Sequence, residues 1–106
     1  MPNKILYSPL ALQDLTDTFN YIANVLNNAS AAEATIKGIL AKINALKEFP
    51  LIGAKLIFES NIDSGYRYIC YKNYIAFYRT QANIIYIDRI LYQKRDYLRL
   101  LNLNNL

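Results

Sequence analysis

The sequence has 106 residues, of which 54% are hydrophobic and 19% are charged, with a formal net charge of +4. This length accommodates one domain with a substantial core, and the composition is typical of an ordered globular protein. No apolar run approaches the roughly 20 residues that cross a bilayer. The N-terminal stretch MPNKILYSPLAL lacks the features of a signal peptide. We therefore expect a cytoplasmic protein that does not associate with a membrane.

The residue types that most often carry catalysis or bind metals are scarce. Histidine is absent, which removes the usual general base and the usual metal ligand. The single cysteine, Cys70, excludes an internal disulfide and a cysteine-based metal site. Its place between Ile69 and Tyr71 in an apolar run predicts a small core residue. We expect no metal and no cofactor, so an enzyme of this composition would have to use Arg, Lys, Tyr, Asp or Glu.

Positive charge is concentrated in the second half of the chain. The charges cancel over residues 1–53, whereas residues 54–106 contain eight cations and four acids. The same half contains all five arginines and eight of the ten tyrosines. A basic and aromatic half suits a polyanion or an acidic protein partner, and an excess of this size is also compatible with ordinary solubility.

The first half predicts one strand and two helices. Residues 4–7 form a short strand, and Ser8-Pro9 places a capping hydroxyl before a proline at the first helical position. The apolar positions of this first helix are Leu15, Phe19, Ile22 and Leu26. The stretch from Ser30 to Glu33 predicts a capping box for the second helix, which ends before Pro50. The apolar stripe of the second helix consists of Ala32, Ile36, Ile39, Ile43 and Leu46. A short link between two such helices predicts an antiparallel helical hairpin.

The second half predicts strands rich in Tyr, Ile and Phe. They cover residues 55–59, 66–71, 74–80 and 84–91, and the last three are joined by tight turns into an antiparallel meander. Helical character returns from Tyr92 onward. The fold class is therefore α+β, in the order β-α-α-β-β-β-β. The helical hairpin packs on one face of an antiparallel sheet, the other face is left for another role, and a short helix ends the single domain.

Strand alternation groups the side chains of each strand but leaves open which group faces the helices. Arg67, Ile69 and Tyr71 share one face of their strand. In the next strand, one face holds Ile75, Phe77 and Arg79. Both faces of these strands carry large apolar residues, so the pattern alone does not decide between them.

Several short motifs follow one another in an order shared with a known family. They are Ser8-Pro9 through Asp14-Leu15, Tyr21-Ile22, Phe49-Pro50 through Gly53, Gly65 through Arg67, Lys72 through Arg79, and Asp88 through Tyr97. In this order and spacing the chain, from Ser8 to about residue 101, resembles the RelE/ParE superfamily of toxins from type II toxin–antitoxin systems. The ending Arg-Ile-Leu-x-Gln-Lys-Arg-Asp-Tyr is closer to the ParE-like branch.

The resemblance implies one of two mechanisms. RelE-like members cleave mRNA on the ribosome, and ParE-like members inhibit DNA gyrase. This chain has Ile75 where RelE-like toxins often carry a basic residue, and Tyr92 where many relatives have a histidine. We therefore expect a gyrase-poisoning toxin that acts by binding, with a ribosome-dependent mRNA endoribonuclease as the alternative. A family member with no potent activity also stays open.

The resemblance and the basic half together predict a target-binding or candidate active face. Its members are Arg67, Arg79, Arg89, Tyr92, Lys94, Arg95 and Tyr97. No catalytic residue is assigned, because metal-independent RNA cleavage needs a general base and a tyrosine with a pKa of about 10 is a poor one. For the gyrase reading, we expect replacement of Arg89 and Arg95 by Ala to lower toxicity without unfolding the domain.

Several of these residues also have structural interpretations. Arg67 can hold the turn after Gly65 or pair with Asp63, and Arg79 can be an exposed strand end. Asp88 and Arg89 should point to opposite faces of their strand, so each needs another partner.

A protein partner is implied as well. Toxins of this superfamily are held by a cognate antitoxin whose disordered segment folds on binding, which gives a toxin–antitoxin hetero-oligomer. An acidic amphipathic segment would suit the basic sheet face or the groove beside the helical hairpin.

Overall fold

One strand leads into a helical hairpin, and four further strands follow it. The computed structural model describes residues 3–57 and 60–93. The strands are β1 (Lys4–Tyr7), β2 (Ala54–Ile57), β3 (Asp63–Tyr71), β4 (Tyr74–Gln81) and β5 (Ile84–Tyr92). The helices are α1 (Pro9–Asn20), which continues into a π-helical turn (Tyr21–Val25), and α2 (Ala29–Asn44), which ends in a 3-10 turn (Ala45–Lys47). The predicted α+β class and element order are confirmed. Tyr92, where helical character was predicted to return, instead ends β5, and the rest of the predicted C-terminal helix lies outside the described residues.

The five strands form one sheet in the order β1-β5-β4-β3-β2. The pairs from β2 to β5 are antiparallel, as the predicted meander requires. In contrast to the expected purely antiparallel sheet, β1 pairs with β5 in parallel, with Lys4 opposite Ile84 and Tyr7 opposite Ile87. The reason is that the meander delivers β5 to the edge running in the same direction as β1. The first strand of the chain thus closes onto the last described one.

The two helix starts test the capping predictions. The Ser8 Oγ accepts a hydrogen bond from the Ala11 amide at 2.9 Å and donates one to the Asp88 carbonyl at 2.8 Å, so the predicted cap of α1 is confirmed. The predicted capping box at Ser30 is wrong. Asn28 caps α2 instead, since its Oδ1 accepts from the Ala31 amide at 3.0 Å and Ser30 already lies within the first turn. Asparagine is as good an N-cap as serine, and Asn28 comes earlier in the chain.

The helical hairpin packs on one face of the sheet, which we call the helical face. Most of the predicted stripe of α2 is buried there, and Leu26 of the predicted α1 stripe is exposed because it follows the π-helical turn. The buried core on this face consists of Ala11, Ile39, Ile43, Leu46, Ile69, Ala76, Tyr78, Ile85, Ile87 and Ile90. This continuous cluster ties both helices to three strands of the sheet.

The opposite face, which we call the distal face, carries a second apolar cluster. Leu56, Ile75, Phe77 and Leu91 are between 1% and 8% exposed, with Tyr66 and Tyr68 packed against them. A cavity of about 270 Å³ lies beside them, and Cys70 is among its lining residues. Cys70 is exposed, so its prediction as a core residue is wrong. Its neighbour Ile69 points into the helical core, and strand alternation then sends Cys70 to the other side.

Neither a membrane-crossing helix nor a metal-binding cluster occurs among the described residues. None of the described helices combines the length and the hydropathy that a membrane crossing requires. Within residues 3–57 and 60–93, no three or more Asp, Glu or Cys side chains gather in a way that could hold a metal ion.

Candidate functional site

A β-bulge in β5 lies at Asp88 and the candidate residue Arg89. Phe77 is opposite Arg89 and Tyr78 is opposite Ile87, so no residue of β4 lies directly opposite Asp88. Asp88 pairs with Arg79 of β4, and Arg89 pairs with Asp14 of α1, so the prediction that each has a separate partner is confirmed. The expected alternation between them is wrong, because Ile87 and Ile90 on either side both point into the helical core and Arg89 is opposite Phe77 of the distal face.

Arg89 joins β5 to helix α1 through Asp14. The Arg89 Nε donates to the Asp14 Oδ2 at 2.8 Å, and its Nη2 donates to the Asp14 Oδ1 at 2.9 Å. The Ile90 amide adds a third hydrogen bond to the Asp14 Oδ2 at 2.9 Å. Both charged side chains are largely buried, with 15% of Arg89 and 10% of Asp14 exposed. The hydrogen bonds that Arg89 donates to Asp14 raise the pKa of Arg89 above its usual value although burial opposes this, so Arg89 stays charged.

This arrangement argues against the expectation that Arg89 can be replaced without a cost in stability. Removing one partner of a buried, bidentate ion pair leaves the other charge uncompensated. Arg89 is therefore first a connection between α1 and the sheet.

Arg67 holds the segment that links α2 to β2. Its Nη1 donates to the carbonyl of Leu51 at 3.1 Å and to the carbonyl of Gly53 at 2.8 Å. The alternative partner considered for it, Asp63, instead accepts from the Gly65 amide and lies 3.8 Å from the Lys55 ammonium. Arg67 thus orders the loop that precedes β2.

Arg79 lies on the distal face, within a small polar cluster. Its Nε donates to the Asp88 Oδ2 at 2.7 Å, and its guanidinium lies 4.5 Å from the centre of the Tyr86 ring. The hydrogen bond that Arg79 donates to Asp88 raises the pKa of Arg79, although partial burial opposes this. Burial, and then the negative charge of Asp88, raise the pKa of the adjacent Tyr66. With 45% of its side chain exposed, Arg79 is held in a fixed direction while part of its guanidinium stays accessible.

Tyr92 lies at the end of β5 on the helical face, opposite Tyr74. The two rings meet edge to face, with centroids 5.5 Å apart and an angle of 68°. Burial raises the pKa of Tyr74, and the nearby Tyr92 and Tyr21 hydroxyls raise it further. Tyr74 is therefore neutral at pH 7 and suited to packing or hydrogen bonding rather than to proton abstraction.

The structure therefore places the described candidate residues on different faces of the sheet and not on one common face. Arg67 and Tyr92 belong to the helical face, Arg79 belongs to the distal face, and Arg89 is engaged by Asp14 of α1. Lys94, Arg95 and Tyr97 lie outside the described residues. Among the described residues, Arg79 combines a fixed guanidinium, an adjacent carboxylate and two tyrosine rings. This arrangement can bind an anionic group.

One exposed feature did not enter the predicted face. The apolar loop, which we define as residues 49–52, presents Phe49, Leu51 and Ile52 with 59%, 60% and 65% of their surfaces exposed. From the sequence, Phe49-Pro50 was interpreted only as the end of α2. The pattern that could have indicated this loop is a run of four apolar residues between a helix and a short edge strand, where solvent exposure is expected.

Comparisons with known proteins agree with this architecture. No curated protein matches the sequence. The fold is similar to a chain of the chromosomal ParDE toxin–antitoxin system from P. aeruginosa, with a TM-score of 0.71, 21% identity, and coverage of 85% of this chain and 95% of that chain. It is also similar to a chain of the toxin–antitoxin complex RelBE2 from Mycobacterium tuberculosis, with a TM-score of 0.58, 18% identity, and coverage of 87% and 99%.

The sequence itself matches a family over nearly its whole length. Residues 5–97 match the ParE toxin of the type II toxin–antitoxin system, parDE. This range contains the helical hairpin, all the strands from β2 to β5, and every candidate residue named above. The resemblance noted from the sequence is thereby confirmed. The chain belongs to the ParE toxin family of type II toxin–antitoxin systems.

Proposed function

We propose that this toxin acts in the cytoplasm, where it inhibits growth by binding and poisoning DNA gyrase, and that a cognate antitoxin holds it inactive in a hetero-oligomer. The observation that carries the proposal is the family match over residues 5–97. Inhibition of gyrase is what the resemblance to the ParE-like branch implies. The similarity to chains of two toxin–antitoxin systems supports the antitoxin partner.

The contacts of the described arginines favour a toxin that binds its target over one that cleaves RNA. Cleavage of a phosphodiester requires cations that converge on one phosphate together with a positioned base. Arg89 is engaged by both carboxylate oxygens of Asp14, and Arg67 is engaged by two backbone carbonyls. These two guanidinium groups are therefore occupied, whereas Arg79, among the described arginines, keeps 45% of its side chain exposed while Asp88 orients it. A single oriented arginine suits recognition of an anionic group on a protein surface.

We assign the contact with the target to Arg79 on the distal face, and Tyr92, Lys94, Arg95 and Tyr97 stay candidates from the family resemblance. Arg67 and Arg89 support this surface indirectly, because they fix the loop before β2 and the position of β5. The Arg79 guanidinium, partly exposed and oriented by Asp88 and Tyr86, is the group expected to lose least freedom on binding.

The second candidate function is ribosome-dependent cleavage of mRNA. The observation in its favour is the cluster on the distal face, where a cation, a carboxylate and a hydroxyl lie together in Arg79, Asp88 and Tyr66. Tyr66 remains protonated at neutral pH because its pKa is raised, so it would serve as a proton donor. In this reading Asp88 would have to act as the base while it is paired with Arg79.

Controlled expression with three readouts distinguishes the candidates. We expect growth arrest with an SOS response and double-strand breaks, and inhibition of supercoiling by purified gyrase when the purified toxin is added. Intact DNA with cleaved transcripts would replace this proposal by the nuclease. Normal growth with a folded and abundant chain would indicate a member without potent activity.

A further inference from the structure

The apolar loop concentrates exposed hydrophobic surface in four consecutive residues. Phe49, Leu51 and Ile52 each leave more than half of their surface in solvent. Exposed apolar residues are common individually, but a contiguous group of large ones marks a binding site or an aggregation hazard. The loop therefore needs an explanation beyond the ending of α2.

The backbone of this loop is fixed by two side chains of the sheet. The hydroxyl of Tyr78, a side chain with 0% exposure, donates to the Pro50 carbonyl at 2.9 Å and accepts from the Gly53 amide at 2.9 Å. Arg67 donates to the carbonyls of Leu51 and Gly53. These four hydrogen bonds attach the carbonyls of Pro50 and Leu51 and the backbone of the following residue, Gly53, to the sheet, while the large apolar side chains of the loop lie in solvent.

Gly53 permits this close attachment. A Cβ atom there would lie 2.5 Å from the Tyr78 hydroxyl and 2.8 Å from the Tyr68 carbonyl oxygen, too close for any larger residue without a shift. The backbone at Gly53, directly after the apolar loop, thus packs closely against the sheet. A surface loop ordered before binding loses little conformational entropy when a partner covers it.

The charges beside the loop are mainly positive. Lys47 precedes it and Lys55 follows it, and both are exposed. Arg67, which braces the loop, adds a partly exposed guanidinium, while Glu48 and Asp63 are the nearby acids along the chain and on the paired strand. An apolar centre with a basic border is complementary to an apolar segment flanked by acidic residues.

We propose that the apolar loop is an anchor site for the antitoxin, specifically for an apolar segment of it that carries acidic flanks. This inference rests on the proposed function, because it requires the antitoxin partner. A lasting partner fits better than the target, since obligate interfaces are more apolar than transient ones. A patch that is covered throughout the life of the complex also avoids the aggregation that free apolar surface promotes.

The test uses the tagged chain expressed with the antitoxin that co-purifies with it from the native operon. The variant Leu51→Ser/Ile52→Ser removes the apolar centre of the loop. The matched control Val25→Ser/Leu26→Ser removes two apolar groups of similar size that are 68% and 57% exposed after α1. We expect the loop variant to bind the antitoxin about 10- to 100-fold more weakly, which is the size typical of interface anchors, and the control to bind it normally. Both variants should keep the thermal midpoint of the parent chain.

A second variant tests the hydrogen bonds by which Arg67 holds the loop backbone. Arg67→Met removes the hydrogen bonds to Leu51 and Gly53 but leaves the apolar side chains in place. We expect a smaller loss of affinity, about 3- to 10-fold, through a faster dissociation rate, because the loop must then be ordered during binding.

Each alternative outcome has a separate meaning. Unchanged antitoxin affinity in the loop variant overturns the inference, and so does an equal loss of affinity in the control. A loop variant that binds antitoxin normally but no longer arrests growth assigns the loop to the target instead, which also overturns it. If the parent chain brings down no antitoxin, the partner in the proposed function fails before any variant is compared.

Discussion

Two Arg–Asp pairs that each include a residue of β5 show how the location of an ion pair changes its role. Arg89 and Asp14 lie between the sheet and α1, with only 15% and 10% of their side chains exposed. Arg79 and Asp88 lie on the distal face, with 45% and 18% exposed. The first pair is bidentate and receives a further backbone hydrogen bond, whereas the second is a single contact with a tyrosine ring beneath it. We infer that the buried Arg89–Asp14 pair connects α1 to the sheet, whereas the exposed Arg79–Asp88 pair is accessible to a binding partner.

The largest expected effect comes from breaking the buried pair. Asp14→Ala leaves Arg89 without its carboxylate partner and the Ile90 amide without its acceptor, so we expect a loss of about 3–5 kcal/mol in the free energy of unfolding. Urea denaturation followed by circular dichroism measures it.

The matched control is Asp17→Ala on the same helix. Asp17 is exposed and accepts one hydrogen bond from Gln13, so its loss should change stability by no more than about 0.5 kcal/mol. Equal stabilities for the two variants would show that the buried pair does not connect α1 to the sheet as described.

Breaking the exposed Arg79–Asp88 pair should change stability little and target binding more. Arg79→Ala should change the free energy of unfolding by at most about 1 kcal/mol, as for other exposed ion pairs. It should also weaken gyrase inhibition about tenfold or more if Arg79 is an anchor of the target contact. Arg79→Lys keeps the charge but loses the planar stacking on Tyr86, so an intermediate effect is expected.

Lys37→Ala, at an exposed position of α2, is the control for the charge change. Full gyrase inhibition by Arg79→Ala would remove this residue from the target surface. A large loss of stability in the same variant would erase the difference between the two pairs.

The smallest expected effect is a pH dependence that originates on the helical face. Burial raises the pKa of Tyr78, while its hydrogen bond with the Gly53 amide and the charge of Arg67 oppose the shift. The folded state therefore binds the Tyr78 proton more tightly than the unfolded state. Its contribution to stability is complete below the unfolded pKa of about 10 and is lost as pH rises through the folded pKa.

Urea midpoints measured from pH 8 to pH 11.5 test this dependence. They should begin to fall near pH 10, and Tyr78→Phe should flatten the fall while lowering stability at neutral pH. An identical slope in the two proteins would show that Tyr78 does not contribute. Tyr7, Tyr66 and Tyr74 have raised pKa values for the same reason, so part of the slope should remain in the variant.

The amino-acid sequence by itself determined the local features of this toxin. The cap at Ser8, the order of helices and strands and the tight meander all follow from signals that act over a few residues. The family motifs are also local, and their order along the chain was sufficient to indicate the family that the comparison confirms.

The tertiary structure decided how these local features meet. Alternation separates the two sides of β3 and β4, but both sides are apolar, so only packing against α1 and α2 shows which one faces the helices. Arg89 and Asp14 are 75 residues apart, and nothing in the local pattern pairs them. The same packing exposes Cys70 and turns Arg67 and Tyr78 into supports for the apolar loop. Side-chain partners across such distances depend on how whole elements dock, which the periodicity of a single element does not encode.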